Sequence, residues 1–267
     1  MTREKKRPFF TIITVCYNAG SRLQKTINSV QKQSFQDWEM IIKDGKSNDG
    51  SIEKLLNVDN RVKIIVEKDT GIYNAMNRAI SEAKGELIIF LNAGDVFSND
   101  KVLENVSNIY HEKKADIYYG DYINATGDYC IVPSKITFNY MYRSFICHQT
   151  IFYKSDLMIM YDDSFQLLAD HNLNLSMLAD KKVFYHMPFD VCIYEGGGMS
   201  ENPKYRKIYM AELKRIRHTY FSILDRYINT IKYYLTFPHV RKYLSGKNSP
   251  VVLRKLYRNF VSFVRKD

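Results

Sequence analysis

Between residues 62 and 95 the chain reads strand, helix, strand, carboxylate, an order that points to a parallel α/β sheet. Val62-Lys-Ile-Ile-Val66 has the β-branched density of a buried strand. Ile72, Ala75, Met76, Ala79, Ile80 and Ala83 recur at the spacing of one helix face, and Gly85 is placed to close that helix. Leu87-Ile-Ile-Phe-Leu91 is apolar on both faces, as central parallel strands are. Asn92-Ala-Gly-Asp95 follows at the carboxyl end of that strand, where open α/β sheets bind their ligands. Asp69 stands at the corresponding end of the strand before it. A carboxylate beside two small residues has open access to a cation or a diphosphate.

The first fifty residues use the same pattern. Phe9 to Val15 is an apolar run ending in Cys16-Tyr17-Asn18, and Leu23, Ile27 and Val30 mark a helix face after it. A short strand, Glu39 to Lys43, then runs into Asp44-Gly-Lys-Ser-Asn-Asp-Gly50. Such a loop suits the grip of a polar ligand. Taken alone it is equally an ordinary βα turn capped by its own Asp or Ser; carboxylates at three strand ends favour the ligand.

At this point the residues resemble a known family. Thr11-Ile-Ile-Thr-Val-Cys-Tyr-Asn18, Asp44 to Gly50, Asp69-Thr-Gly-Ile-Tyr-Asn-Ala-Met-Asn77 and Phe90-Leu-Asn-Ala-Gly-Asp95 are similar to successive signatures of family 2 glycosyltransferases, the inverting GT-A type. Cys147-His-Gln149, Ala169-Asp170 and Gly196-Gly-Gly-Met-Ser200 continue the likeness over roughly the first three quarters of the chain. It is strongest toward members that build bacterial surface polysaccharides.

The resemblance implies a GT-A-like α/β fold: a mostly parallel central sheet with flanking helices, plus a C-terminal helical extension. It implies that Tyr17 and Asn18 border the nucleotide base, that Asp44, with Gly45, meets base or ribose, and that Asp69 lies against the nucleoside. Asn77, Asn92, Ala93 and Gly94 fall in the same donor-binding motifs. Asp95 matches the last carboxylate of the family's metal motif, for a divalent cation, Mg²⁺ or Mn²⁺, held by the donor diphosphate. Asp170 matches the catalytic base. The family often carries another acid just before the last one of the metal motif, and here that position is Gly94; Lys46 and Asn74 also depart from the pattern.

These residue types fit the implied chemistry. A sugar hydroxyl is a weak nucleophile, so a carboxylate must take its proton as the bond to the anomeric carbon forms. The departing nucleoside diphosphate gains negative charge that a divalent cation neutralises. One base and one cation give inversion by a single displacement; Asp162 or Asp163 as a covalent nucleophile is open on sequence alone, though the family argues against it. Asp170 precedes Leu173, Met177 and Leu178, so by its own pattern it reads first as a first-turn or N-cap residue, and the resemblance alone makes it the base. His148 beside Cys147 and Ile151 reads as structural or, with Gln149, as facing the acceptor. Gly196 to Gly198 reads as a mobile segment suited to closing over the diphosphate.

Charge divides the chain. From 203 to 267 there are sixteen Lys or Arg against three acids, a net +13 within a total of +10, so residues 1–202 carry −3. This places a catalytic domain at 1–202, with a nucleotide-sugar half to about 120 and an acceptor half from 121, and a basic extension at 203–267. Tyr205, Ile208, Tyr209, Leu213, Ile216, Tyr220, Ile223, Tyr227 and Ile231 describe one long amphipathic helix. A second, from Pro250, sets Arg254, Arg258 and Arg265 against Leu256 and Phe260. Basic amphipathic helices suit an anionic membrane surface, or a solvated face packed on the catalytic domain. The expectation is a cytoplasmic enzyme peripheral at the inner face of the plasma membrane, acting on a nucleotide sugar, with a uridine donor favoured, and a lipid-linked saccharide acceptor.

The remaining composition is consistent with this. Cys16, Cys130, Cys147 and Cys192 show no metal-ligand spacing and read as reduced thiols. The basic start, Arg3 to Arg7, precedes too short an apolar run for a signal peptide. A sugar-phosphate nucleotidyltransferase shares the layout, but Tyr17-Asn-Ala-Gly-Ser21 is no basic phosphate loop. Nucleic acid is not expected as a partner, since the basic excess is confined to the tail.

Overall fold

A computed structural model of the chain describes residues 7–236. The chain divides into two compact units, Met1–Leu213 and Lys214–Asp267. In sequence order the elements are β1 (Phe10–Cys16), α1 (Arg22–Gln31), β2 (Trp38–Asp44), β3 (Val62–Val66), α2 (Ile72–Ile80), β4 (Leu87–Phe90), β5 (Val96–Phe97) and α3 (Val102–Glu112). They continue with β6 (Ile117–Ile123), β7 (Tyr129–Cys130), α4 (Phe138–Arg143), β8 (Ile151–Lys154), α5 (Ala169–Ala179), β9 (Phe184–Ile193), α6 (Arg206–Tyr220) and α7 (Ile223–Thr236).

The strands form one sheet in the order β3-β2-β1-β4-β8-β6-β9-β5, with β7 added beside β6. The first four are mutually parallel. Beyond β4 the sheet is mixed: β8 runs antiparallel to both neighbours, whereas β6 and β9 are parallel. The chain leaves β1 toward β2 and β3, then crosses through α2 to β4 on the other side of β1. That reversal opens a crevice at the carboxyl ends of β1 and β4, the binding position of open α/β sheets.

Apolar burial supports this arrangement. Phe10, Ile12, Leu87, Ile89 and Phe90 are completely buried, as are Leu23, Ile27 and Val30 on the inner face of α1. Each such side chain is worth about 1.5–3 kcal/mol relative to exposure. β3 differs from its sequence expectation. Among the described residues it is the edge of the sheet, bonded only to β2, and Ile64 and Val66 remain exposed, so its β-branched content serves strand propensity rather than core.

Gly85 also differs. Helix α2 stops at Ile80, with Ser81 as its C-cap, and Gly85 instead lies against the start of β1. A Cβ there would sit 2.4 Å from Thr11 N and 2.6 Å from the Phe10 carbonyl carbon. The expected long amphipathic helix is likewise two helices. Ser222 and Asp225 cap each other reciprocally, Ser222 N to Asp225 Oδ2 at 3.1 Å and Asp225 N to Ser222 Oγ at 3.1 Å, and so start α7 afresh. The second basic helix, with Arg254, Arg258 and Arg265, lies outside the described residues.

Gly85→Ala should destabilise the protein by about 1–3 kcal/mol, because the methyl meets backbone rather than a movable side chain. Urea unfolding of the two proteins checks this; equal midpoints would mean that β1 can shift.

Candidate active site

A cleft of about 450 Å³ opens at the carboxyl end of β4, lined by Asn92, Ala93, Asp95, His148, Gln149, Asp170 and Glu195 among others. Ile72, Tyr73 and Gly196 to Ser200 line it too, so five of the sequence's motifs meet in one place.

Asp95 follows β4 and leads into β5, and it is 4% exposed. A buried carboxylate needs donors, and it has two: Gln149 Nε2 at 2.8 Å on Oδ2, and Glu195 N at 2.9 Å on Oδ1. Burial raises the Asp95 pKa, opposed by these two donors and the nearby His148. The motif's backbone is tied to α1 by Thr26, whose Oγ1 accepts from Gly94 N at 2.9 Å and donates to Asp95 O at 2.8 Å.

Asp170 lies in the first turn of α5 and faces the same cleft. Its Oδ1 accepts from Tyr73 Oη at 3.0 Å, and its Oδ2 lies 3.2 Å from His148 Nδ1. His148 Nε2 is 3.0 Å from Asn92 Nδ2. Asn92 Oδ1 is buried without a partner, so a half-turn of that amide would present an acceptor to the imidazolium. Burial alone would raise the Asp170 carboxyl, but the hydrogen bond and charge of His148 outweigh it and hold the group below its ordinary value. Burial alone would lower His148, and Asp170 outweighs that, raising the imidazole. The pair is thus stabilised in its ionised form.

Sequence reasoning missed the residue that supports Asp170 from behind. Glu212 of α6 is buried, and its carboxylate accepts from the N–H groups of Gln166, Leu167 and Leu168 at 2.6, 3.1 and 3.0 Å. It fixes the turn that enters α5, and the one Tyr73 hydroxyl hydrogen is shared between Asp170 Oδ1 and Leu167 O, which lies 2.7 Å from Oη. An acid in a basic tail was the available signal.

The expected nucleoside group assembles separately around Gly45. A Cβ at Gly45 would lie 2.9 Å from Asp69 Oδ2 and 3.3 Å from Tyr17 Cδ2, so these residues converge on one glycine, and Tyr17 remains 65% exposed. Asn18 adopts φ 51° and is held by Ser47 Oγ, which accepts from its N–H at 2.7 Å. Asp44 is wholly buried and binds Ser47, through N at 2.8 Å and Oγ at 2.5 Å, which is the self-capped turn weighed above. Lys43 was also missed: fully buried, it donates to Asp44 O at 3.0 Å and to Glu67 O, and lies 3.7 Å from Asp69 Oδ2.

Asn77 lies in the same donor-motif segment but is engaged elsewhere. Its amide donates to Tyr161 O at 2.8 Å and accepts from Tyr161 N at 2.8 Å, so both ends brace a loop rather than face a ligand. Asp162 and Asp163 are exposed, and neither lines the cleft.

Fold and site together define a nucleotide-sugar-type transferase architecture, and the comparisons agree. The family model described as Glycosyl transferase family 2 matches residues 11–165, more than half of the chain, and the chain belongs to that family. It is therefore a glycosyltransferase. A PGL/p-HBAD biosynthesis glycosyltransferase of Mycobacterium tuberculosis is 29% identical over 203 residues, covering 72% of this chain and 79% of that one. The Escherichia coli UDP-Glc:alpha-D-GlcNAc-diphosphoundecaprenol beta-1,3-glucosyltransferase WfgD is 29% identical over 65% of this chain and 71% of its own. Among solved structures, S. aureus TarS 1-349 in complex with UDP-GlcNAc superposes with a TM-score of 0.63 at 16% identity, covering 94% of this chain and 79% of that chain. Against a longer TarS chain the coverage is 46% of its length. The shared fold is GT-A-like.

The Asp170–His148 pair sets a pH test. The share of Asp170 is present above its unfolded value of 3.8 and lost below it, and that of His148 is present below 6.5 and lost as pH rises through its raised value. His148→Gln should cost about 1.5–3 kcal/mol of unfolding free energy at about pH 5.5 and less at about pH 8.5. Denaturant titrations of both proteins at the two pH values check the sign.

Proposed function

We propose that this chain transfers a sugar, with inversion, from a nucleotide-sugar donor to a saccharide acceptor carried on a lipid, in the assembly of a bacterial surface polysaccharide. The observation that carries the reading is the convergence of Asp170, held ionised by His148, with Asp95 across one cleft. A uridine donor is supported by the printed names of WfgD and of the TarS complex, and a lipid-linked acceptor by that of WfgD.

In this reading the Asp170 carboxylate takes the proton of the acceptor hydroxyl as the new glycosidic bond forms at the anomeric carbon, and the bond to the diphosphate oxygen breaks. Tyr73 and His148 orient the carboxylate and keep it ionised, while Glu212 fixes the turn behind it. Gln149 and the Glu195 N–H fix the Asp95 carboxylate, a hard oxygen donor of the kind Mg²⁺ and Mn²⁺ take. Asp95 would hold that cation, which when bound neutralises charge on the departing diphosphate. Tyr17, Asn18, Asp44, Gly45 and Asp69 would form the nucleoside side, with Asn92, Ala93 and Gly94 beside the diphosphate. His148 and Gln149, read as acceptor-side residues, would act chiefly by holding the two carboxylates.

Asp170→Asn should lower turnover by about 10²–10⁴-fold with little change in binding of uridine diphosphate. Asp95→Asn should abolish transfer and weaken binding that depends on Mn²⁺. Steady-state kinetics paired with calorimetric titration separate the two. An Asp170→Asn enzyme with wild-type turnover would remove the base from the mechanism.

The basic extension supports a peripheral location at the inner membrane face. On α7, Ile223, Leu224, Tyr227, Ile228 and Ile231 are exposed apolar side chains beside a strongly basic sequence. No helix among the described residues is long and apolar enough to cross a membrane. Each basic residue near an anionic surface is worth about 1 kcal/mol. Replacing Arg254, Arg258 and Arg265 by Glu should release the protein from anionic vesicles at low salt without altering hydrolysis of a soluble donor. Flotation of both proteins with such vesicles checks this, and equal retention would overturn it.

A further inference from the structure

Gly94 stands where relatives of this family often carry an acid, and its backbone explains the absence. Its φ of 109° is one that residues with a side chain rarely adopt. The space such a side chain would enter is already filled. A Cβ built on Gly94 would lie 1.9 Å from Glu195 Oε2 and 2.8 Å from Glu195 Cδ. A carboxylate therefore does sit beside Asp95, delivered from a segment 100 residues further along the chain.

The delivery is fixed by the fold. Pairing of β5 with β9 sets Val96 opposite Ile193, which brings residue 195 over the Asn92–Asp95 turn. The Glu195 N–H then donates to Asp95 Oδ1 at 2.9 Å. Two neighbouring acids are unfavourable unless something positive joins them. The cations at hand, Arg22 and Lys25 of α1, lie 3.9 and 3.6 Å from Glu195, on its side of the cleft, and each is about half exposed. Those are loose pairs, which leave both lysine and arginine able to meet a phosphate.

We propose that Glu195 is the second protein carboxylate for the divalent cation, replacing in space the acid that the backbone at residue 94 excludes. This rests on the reading of the cleft as a site for a nucleoside diphosphate with a divalent cation. Asp95 and Glu195 together offer hard oxygen donors from two segments, and phosphate and water would complete the sphere. The alternative role for Glu195 is that of counter-ion to Arg22 and Lys25 alone, and the two roles differ in what they do to metal affinity.

The test uses the full-length protein, uridine diphosphate and Mn²⁺, with bound Mn²⁺ read by electron paramagnetic resonance rather than by activity. Glu195→Gln keeps the shape and removes the charge. It should weaken Mn²⁺ binding in the presence of uridine diphosphate by at least about tenfold, since even supporting residues around metal sites cost about 10–100-fold. Glu195→Asp should fall between the two. Thermal melts of each variant confirm folding. If Glu195→Gln binds Mn²⁺ within about twofold of wild type, Glu195 is an ion-pair partner only and the proposal falls, while the cleft reading stands. If the wild-type protein binds no Mn²⁺ with uridine diphosphate, the cleft reading itself fails and takes this assignment with it.

Discussion

The site depends on one buried carboxylate. Asp95 at 4% exposure is tolerable only because two donors meet it. They come from Gln149 and from the backbone of Glu195, 54 and 100 residues away in sequence. Satisfying Asp95 therefore requires the turn before β8 and the end of β9 to be in place together. The same two hydrogen bonds bring His148 and Glu195 to the mouth of β4. A local motif thus becomes the meeting point of three distant segments.

A second chain of contacts orders the other side of the cleft. Asp170 receives Tyr73 from α2 and His148 from the turn before β8, and the backbone entering α5 hangs on Glu212 of α6. A carboxylate in a first helical turn gains from the helix dipole, and the adjacent imidazole adds to it, so the group stays ionised despite burial. Asn92 links the two halves, since it belongs to the motif of Asp95 and touches the imidazole that holds Asp170.

Much of this was legible in the residues, and the failures have physical causes. Periodicity located β1, β4 and the buried face of α1, because those patterns arise from burial of local segments. It misread β3, since β-branched density marks a strand and not its place in the sheet, and an edge strand needs only one partner. It ran α6 and α7 together, since an apolar repeat carries no record of the Ser222–Asp225 cap that restarts the helix. Asn77 sits in a recognisable motif, yet only the fold shows that Tyr161 occupies its amide.

The sequence alone determined the family, the alternation of strands and helices as far as residue 95, and the candidate carboxylates at the strand ends, because short motifs and hydrophobic periods are written within a few residues. Tertiary structure alone decided which carboxylates meet. Glu212 behind Asp170, Lys43 beneath Asp69, and Glu195 in the space Gly94 leaves open are long-range consequences of sheet order and strand register. No local pattern encodes them, since each is fixed by the pairing of segments that are far apart in the chain.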